Sequence, residues 1–142
     1  MRPKYETQHD LERQGIAAAK FCKAFRCVLH GLPEFYEVDF LVEFKGLMRG
    51  VCEVKCRDIF SYDYGTVILS LHKFKAMTEY GRLVGGSADL VVQFKDKMMT
   101  VNLLAYHPSL MKISTGGRHD RDDAQDTEPV IHIPLDWFTE VA

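Results

Sequence analysis

Two carboxylates and one lysine are spaced as if to meet. Asp39 lies in the alternating run Glu37 to Phe44, and Glu53 and Lys55 are two positions apart in the run Val51 to Arg57. Side chains two apart on an extended strand share a face. Val38, Phe40, Val42 and Phe44 therefore form one row, and Glu37, Asp39, Leu41 and Glu43 the other. On the second run Cys52, Val54 and Cys56 oppose Val51, Glu53, Lys55 and Arg57. If the runs pair as a hairpin about the turn flanked by Gly46 and Gly50, and their polar faces coincide, Asp39, Glu53 and Lys55 converge. The product is two hard oxygen donors for a divalent cation with an ammonium beside them. Cross-strand charge pairs on a solvated sheet face use the same residue types without any chemistry, so the spacing alone does not decide.

The string Asp39, then Glu53-Val54-Lys55 across a hairpin, resembles the signature of the PD-(D/E)XK nuclease superfamily, with Val38 where that signature has its usual proline. Restriction endonucleases, Holliday-junction resolvases and many small phage proteins belong to this superfamily. The resemblance implies an α/β fold with a mixed sheet, a restriction-endonuclease-like αβββαβ core. It implies Mg²⁺ or Mn²⁺ held by Asp39, Glu53 and the carbonyl of Val54, with Lys55 orienting water or countering developing charge. Resolvase-like members add a glutamate from the first helix, matched here by Glu12. A lysine or glutamine on the helix after the acid-x-lysine strand is matched by Lys73.

Local pattern supplies elements that can carry these groups. Residues 8 to 25 read as an amphipathic helix with a stripe of Leu11, Gly15, Ala18, Cys22 and Phe25, capped by Thr7 or Asp10. Glu12 falls just off the stripe, in the row of Ile16 and Ala19, and a solvated carboxylate is the plainer account of it. Arg26 to His30 reads as a short strand before the Gly31-Leu32-Pro33 turn, with His30 structural. After the apolar run Val67-Ile68-Leu69, Ser70 caps a helix from about Leu71 to Tyr80 that ends at Gly81. Its buried stripe is Leu71, Phe74 and Met77 or Thr78, with Lys73 one step round. Ser70 and Lys73 also spell SxxK, but the other parts of that serine-hydrolase constellation are missing. Runs 87 to 95 and 98 to 106 are strands joined at Asp96-Lys97, and Val130 to Pro134 is an edge strand.

The aromatic loop Asp58 to Gly65 follows the acid-x-lysine strand, so Arg57, Tyr62 and Tyr64 are candidates for nucleic-acid contact. Rings can stack on bases, although loop aromatics more often anchor the loop. Segment 113 to 129 is polar and lacks EF-hand spacing, which suits a solvated loop or a contact with a partner such as a second copy of the chain.

A chain of 142 residues, 46% hydrophobic, suits one domain over 1 to 142, with the core in about 5 to 106 and a C-terminal extension over 107 to 142. No apolar run reaches the roughly 18 to 20 residues that span a bilayer, and the polar start is unlike a signal peptide. The expectation is a cytoplasmic protein of a bacterium or a phage-infected cell, without a membrane partner. Cys22, Cys27, Cys52 and Cys56 lack the tight knuckles of structural zinc sites and read as buried free thiols. The net charge is −2, yet residues 1 to 117 hold 16 basic and 13 acidic side chains, because the acids concentrate after residue 118. A basic groove on the body is compatible with that distribution.

The resulting expectation is an Mg²⁺- or Mn²⁺-dependent nuclease, an endonuclease or exonuclease acting on DNA in recombination, repair or processing. The alternative is a non-catalytic nucleic-acid or protein-interaction module that keeps the fold. A carboxylate pair repels phosphate unless a cation stands between them, which favours the enzyme.

Overall fold

The structure is a computed structural model that describes residues 8–115 and 128–142. Helix α1 spans Gln8–Phe25, strand β1 Val28–Gly31, β2 Phe40–Phe44 and β3 Leu47–Cys56. Strand β4, Thr66–Ser70, leads directly into helix α2, Leu71–Leu83, then β5 Ala88–Gln93 and β6 Met98–Asn102. Beyond these come β7 Lys112–Thr115, β8 Pro129–Pro134 and β9 Thr139–Val141. Among the described residues the strands form a six-stranded sheet in the order β1-β2-β3-β5-β6-β9 and a three-stranded sheet in the order β4-β8-β7. In the larger sheet β3 and β5 are parallel and the remaining pairs antiparallel, which is the expected mixed sheet.

The hairpin of β2 and β3 turns earlier and more tightly than the Gly46 to Gly50 region that the sequence suggested, and Gly50 lies inside β3, paired with Val42. Phe44 faces Leu47, and the two residues between them, Lys45 and Gly46, have φ of 52° and 80°. That pair of left-handed residues matches the twist of the flanking strands. The strand containing Asp39 is shorter than expected, however. It begins at Phe40, so Asp39 sits on the loop entering β2, pinned by its carbonyl, which accepts from Leu32 N at 2.9 Å. Val38 leaves the apolar row as a result and packs beside Val51 in the core under α2.

Both faces of the larger sheet are covered. Ala17, Ala18 and Phe21 of α1 lie on the face of Cys52, Val54 and Val91. Phe74 and Met77 of α2, with Leu69, Ile131 and Ile133 of the smaller sheet, lie on the face of Val51, Leu90 and Val92. The face that carries Glu53 is therefore interior rather than solvated. Desolvation makes a charge there expensive unless it is paired, so burial separates this site from an ordinary surface charge pair.

Several boundaries moved for identifiable reasons. The α1 stripe is rotated: Ile16 is 73% exposed, Leu11 48% and Phe25 46%, while two small alanines and Phe21 meet the sheet. Small residues allow the helix axis to approach closely, which outweighs the exposure of the larger side chains. Helix α2 does not stop at Gly81. A Cβ there would stand 2.8 Å from the Ser87 carbonyl oxygen, so this glycine is the close approach of α2 to the start of β5. The helix ends two residues later, and the chain reverses through Gly85 and Gly86 at φ 85° and 92°. Strand β8, expected at an edge, is the middle strand of the smaller sheet, because β4 and β7 both pair with it. The 107–142 extension also contributes β9 to the larger sheet, and Trp137 stacks on Tyr106 at 4.1 Å between ring centroids. The part of the acidic segment in 116–127 lies outside the described residues.

Candidate active site

Strand β3 pairs with β2 only as far as Cys52, which faces Phe40. Glu53, Val54 and Lys55 continue past that point against β5 alone, so β3 has an open edge beside the Asp39 loop. Alternation turns Glu53 and Lys55 toward α2, and Val54 toward α1. Asp39 and Glu53 are both buried, each 6% exposed, and their side chains share a hydrogen bond.

Helix α2 brings the cation. Ser70 caps the helix by accepting from Lys73 N at 3.0 Å. That bond fixes the first turn and directs Lys73 inward, where Nζ stands 3.1 Å from Glu53 Oε1. The distance is that of an ion pair, but the approach lacks hydrogen-bond direction, and Glu53 Oε1 is left buried with no directed donor. Burial and the neighbouring Asp39 charge push the Glu53 carboxyl up to about 7, against the pull of Lys73 and Lys55. Lys55 is pushed below its ordinary range by burial, with Glu53 opposing that shift. Arg57, on the same strand face, is lowered by burial, again with Glu53 opposing, and reaches the Ile68 carbonyl at 3.4 Å.

Of the residues singled out by sequence, Asp39, Glu53, Lys55 and Lys73 thus form one electrostatic unit, with Arg57 at its margin. Glu12 does not join it. It is exposed, in the same outward row of α1 as Ile16 and Ala19. The α1 side chain that reaches β3 is Gln14, whose Nε2 donates to the Val54 carbonyl at 3.1 Å. Gln14 precedes Ala17, Ala18 and Phe21 at helical spacing, a row distinct from the stripe through Leu11 and Gly15 and marked in the sequence only by its two alanines and Phe21. Tyr62 and Tyr64 are 74% and 66% exposed. Tyr62 stacks on Phe60 at 5.3 Å, and Lys95 Nζ lies 5.5 Å from the Phe60 ring centre. Their loop is anchored by Ser61, which donates through its backbone N and its hydroxyl to Asp96 at 2.8 and 2.6 Å. His30 pairs with Glu43 at 2.9 Å across β1 and β2, a structural contact. All four cysteines are free thiols, and burial raises Cys27 to about 11.

Among the described residues no cluster of three or more histidine, cysteine, aspartate or glutamate side chains is assembled. The oxygens that can hold a cation are instead the two carboxylates and the Val54 carbonyl. They fit a hard divalent ion in one definite respect: Glu53 Oε1 is a buried anionic oxygen lacking a directed partner, and a cation satisfies it better than the approaching ammonium. A cavity of about 510 Å³ lined by Phe21, Asp89, Thr100 and Trp137, among others, opens on the α1 side, and none of the four clustered residues lines it. Among the described residues no helix is long and apolar enough to cross a membrane.

Similarity to known proteins agrees with this architecture. No curated protein sequence matches the chain. The solved structure of Archaeoglobus fulgidus Hjc, a Holliday junction resolvase from an archaeal hyperthermophile, superposes with a TM-score of 0.62 at 13% identity, over 95% of this chain and 93% of that one. At that identity the likeness concerns the fold, which is restriction-endonuclease-like. The family described as "Phage putative PDDEXK endonuclease" matches residues 1–141. With nearly the whole sequence matched, the chain belongs to this phage PDDEXK endonuclease family.

Proposed function

We propose that the protein is a divalent-metal-dependent nuclease that hydrolyses phosphodiester bonds in DNA, with Asp39, Glu53, Lys55 and Lys73 as its working groups. The observation that carries this reading is the buried Glu53 oxygen without a directed donor, placed between Asp39 and Lys73. Nothing in the packing of a purely structural core calls for such an arrangement, which is costly to bury.

Asp39, Glu53 and the Val54 carbonyl would hold Mg²⁺ or Mn²⁺. When bound, such an ion supplies positive charge at the scissile phosphate and makes a neighbouring water easier to ionise. Lys55, on the same strand face as Glu53, orients the attacking water or offsets the charge that builds on the phosphate. Lys73, whose ammonium lies at Glu53, would be free to meet a phosphate oxygen if a divalent ion were held at that carboxyl. Gln14 holds the Val54 carbonyl from the α1 side. Arg57 and the exposed Tyr62 and Tyr64 extend the contact along the nucleic acid. Because the matching fold belongs to a protein described as a Holliday junction resolvase, branched DNA is the first substrate class to test. A role in recombination or repair would follow from that preference.

The deciding experiment incubates wild type, Glu53→Gln and Asp39→Asn with branched, duplex and single-stranded DNA in Mg²⁺, in Mn²⁺ and in chelator. Cleavage by wild type that requires the metal and collapses in both variants is expected. Full activity in Glu53→Gln removes the assignment, and DNA binding without any cleavage by wild type favours a binding module.

A further inference from the structure

The loop that delivers Asp39 also displays rings. Pro33 to Val38 begins with a tight turn, in which Tyr36 N donates to Pro33 O at 2.9 Å, and its base is tied by the Leu32 to Asp39 hydrogen bond. At its tip Phe35 is 75% exposed. The Phe35 ring lies 5.1 Å from Tyr36, which lies 6.4 Å from Tyr80 on α2, so the three form a ladder. Below it is a cavity of about 400 Å³ lined by Glu37, His72, Lys75, Ala76, Tyr80 and Leu83, among others. Two of its lining residues neighbour the clustered groups along the chain: Glu37 is two residues from Asp39, His72 is adjacent to Lys73, and Glu37 and His72 pair at 3.2 Å.

A ring that is three-quarters exposed, held on a pinned loop and backed by a second aromatic tilted 33° to it, leaves an open face for a planar apolar partner. The charges around it limit which partner. Glu34, Glu37 and Glu79 flank the ladder, and carboxylates repel a phosphate backbone. A nucleic acid that reaches the rings must therefore approach with its bases toward them and its phosphates turned away from these carboxylates. Paired bases inside a duplex are covered on both faces by their neighbours, so only an unpaired or terminal base can meet such a ring.

We infer that the Phe35-Tyr36-Tyr80 ladder is a stacking site for unpaired nucleobases next to the cleaved phosphate, so that the substrate is DNA with single-stranded character at the cut: a branch point, flap or single strand. This deepens the nuclease reading and rests on it for the position of the phosphate. Phe35 is four residues from Asp39, at most about 14 Å along an extended chain. At about 3.4 Å per stacked nucleotide, the stacked base lies within roughly four nucleotides of the scissile bond.

The test measures binding and cleavage separately. Oligonucleotides carrying 2-aminopurine in single-stranded, flapped and fully duplex form are titrated in Ca²⁺ with wild type, Phe35→Ala, Tyr36→Ala and Phe35→Trp. Wild type is expected to prefer the unpaired forms and to quench the probe. Phe35→Ala should weaken binding to unpaired DNA by about tenfold, lowering the single-strand-to-duplex affinity ratio, and Phe35→Trp should restore it. An unchanged ratio and quench in Phe35→Ala, or no single-strand binding by wild type, overturns the inference. So does a variant that changes only the sedimentation of the free protein, since the rings would then serve contact between copies. Cleavage of the same oligonucleotides by wild type in Mg²⁺ judges the nuclease reading independently, because quenching needs no bond to break.

Discussion

Lys73 Nζ stands 3.1 Å from Glu53 Oε1, a contact between the first turn of α2 and the middle of β3. The ammonium offsets part of a carboxylate charge that burial makes costly, yet it leaves the oxygen without a directed hydrogen bond. In the proposed reading, the oxygen left without a directed bond is where a divalent ion would sit, and the ammonium beside it is the one that would meet a phosphate.

Removing the lysine should expose that dependence. Lys73→Ala leaves a buried carboxylate with less compensation, and a loss of about 1–3 kcal/mol at pH 8 is expected. At pH 5, below the value of about 7 to which Glu53 is raised, the carboxyl is largely neutral, so the loss should be smaller. Urea unfolding at both pH values measures it. Equal losses would mean that Lys73 acts only through packing.

The Glu53 carboxyl sets a pH dependence of known sign. Its ordinary value of 4.5 applies to the unfolded chain and about 7 to the folded one, so between them the folded state binds more protons. Metal-free stability should therefore fall as pH rises from about 4.5 to 7, by up to about 3 kcal/mol, and level off above. Saturating Mg²⁺ should offset that loss by binding the ionised form. In Glu53→Gln the slope across this window should disappear. A wild-type curve that rises monotonically from pH 5 to 8 without metal would contradict the burial argument.

Gln14 offers a test of the α1 contact. Gln14→Leu removes the donor from the Val54 carbonyl while retaining bulk, and should cost about 0.5–1.5 kcal/mol. Calorimetry should also show weaker Mg²⁺ binding, since the carbonyl is no longer held in place. Glu12→Gln, on the exposed row, should change neither quantity. If Glu12→Gln lowers metal affinity while Gln14→Leu does not, α1 sits differently on the sheet in solution.

The helix cap links stability to the site. Ser70→Ala deletes the acceptor for Lys73 N and should destabilise by about 1 kcal/mol. Because the same bond fixes the backbone of Lys73, affinity for DNA should fall along with stability. Ser70→Asp retains a cap and should preserve both. DNA affinity in Ser70→Ala equal to wild type would separate the cap from the positioning of Lys73.

Strand alternation by itself put Glu53 and Lys55 on one face of β3 with Val51, because a period of two leaves no other choice once the strand is extended. The same local logic fixed the Ser70 cap that fixes Lys73, dictated by the backbone geometry of a few neighbouring residues, whereas the turn, read between Gly46 and Gly50, closes at Lys45-Gly46 once β2 and β3 pair. The facing of α1 was not legible in this way. The rows Leu11-Gly15-Ala18-Cys22 and Gln14-Ala17-Ala18-Phe21 have similar periodicity, and only the close approach to Cys52 and Val54 selects the second, exchanging Glu12 for Gln14. Burial of Asp39 and Glu53 was likewise a tertiary outcome. It depends on β4 pairing with β8, a ladder joining Thr66 to Pro134, and long-range pairing is decided by the packing of whole elements and by no local signal. That burial raises Glu53 and leaves its oxygen short of a partner, so the fold turns a common pair of strand residues into a site suited to a cation.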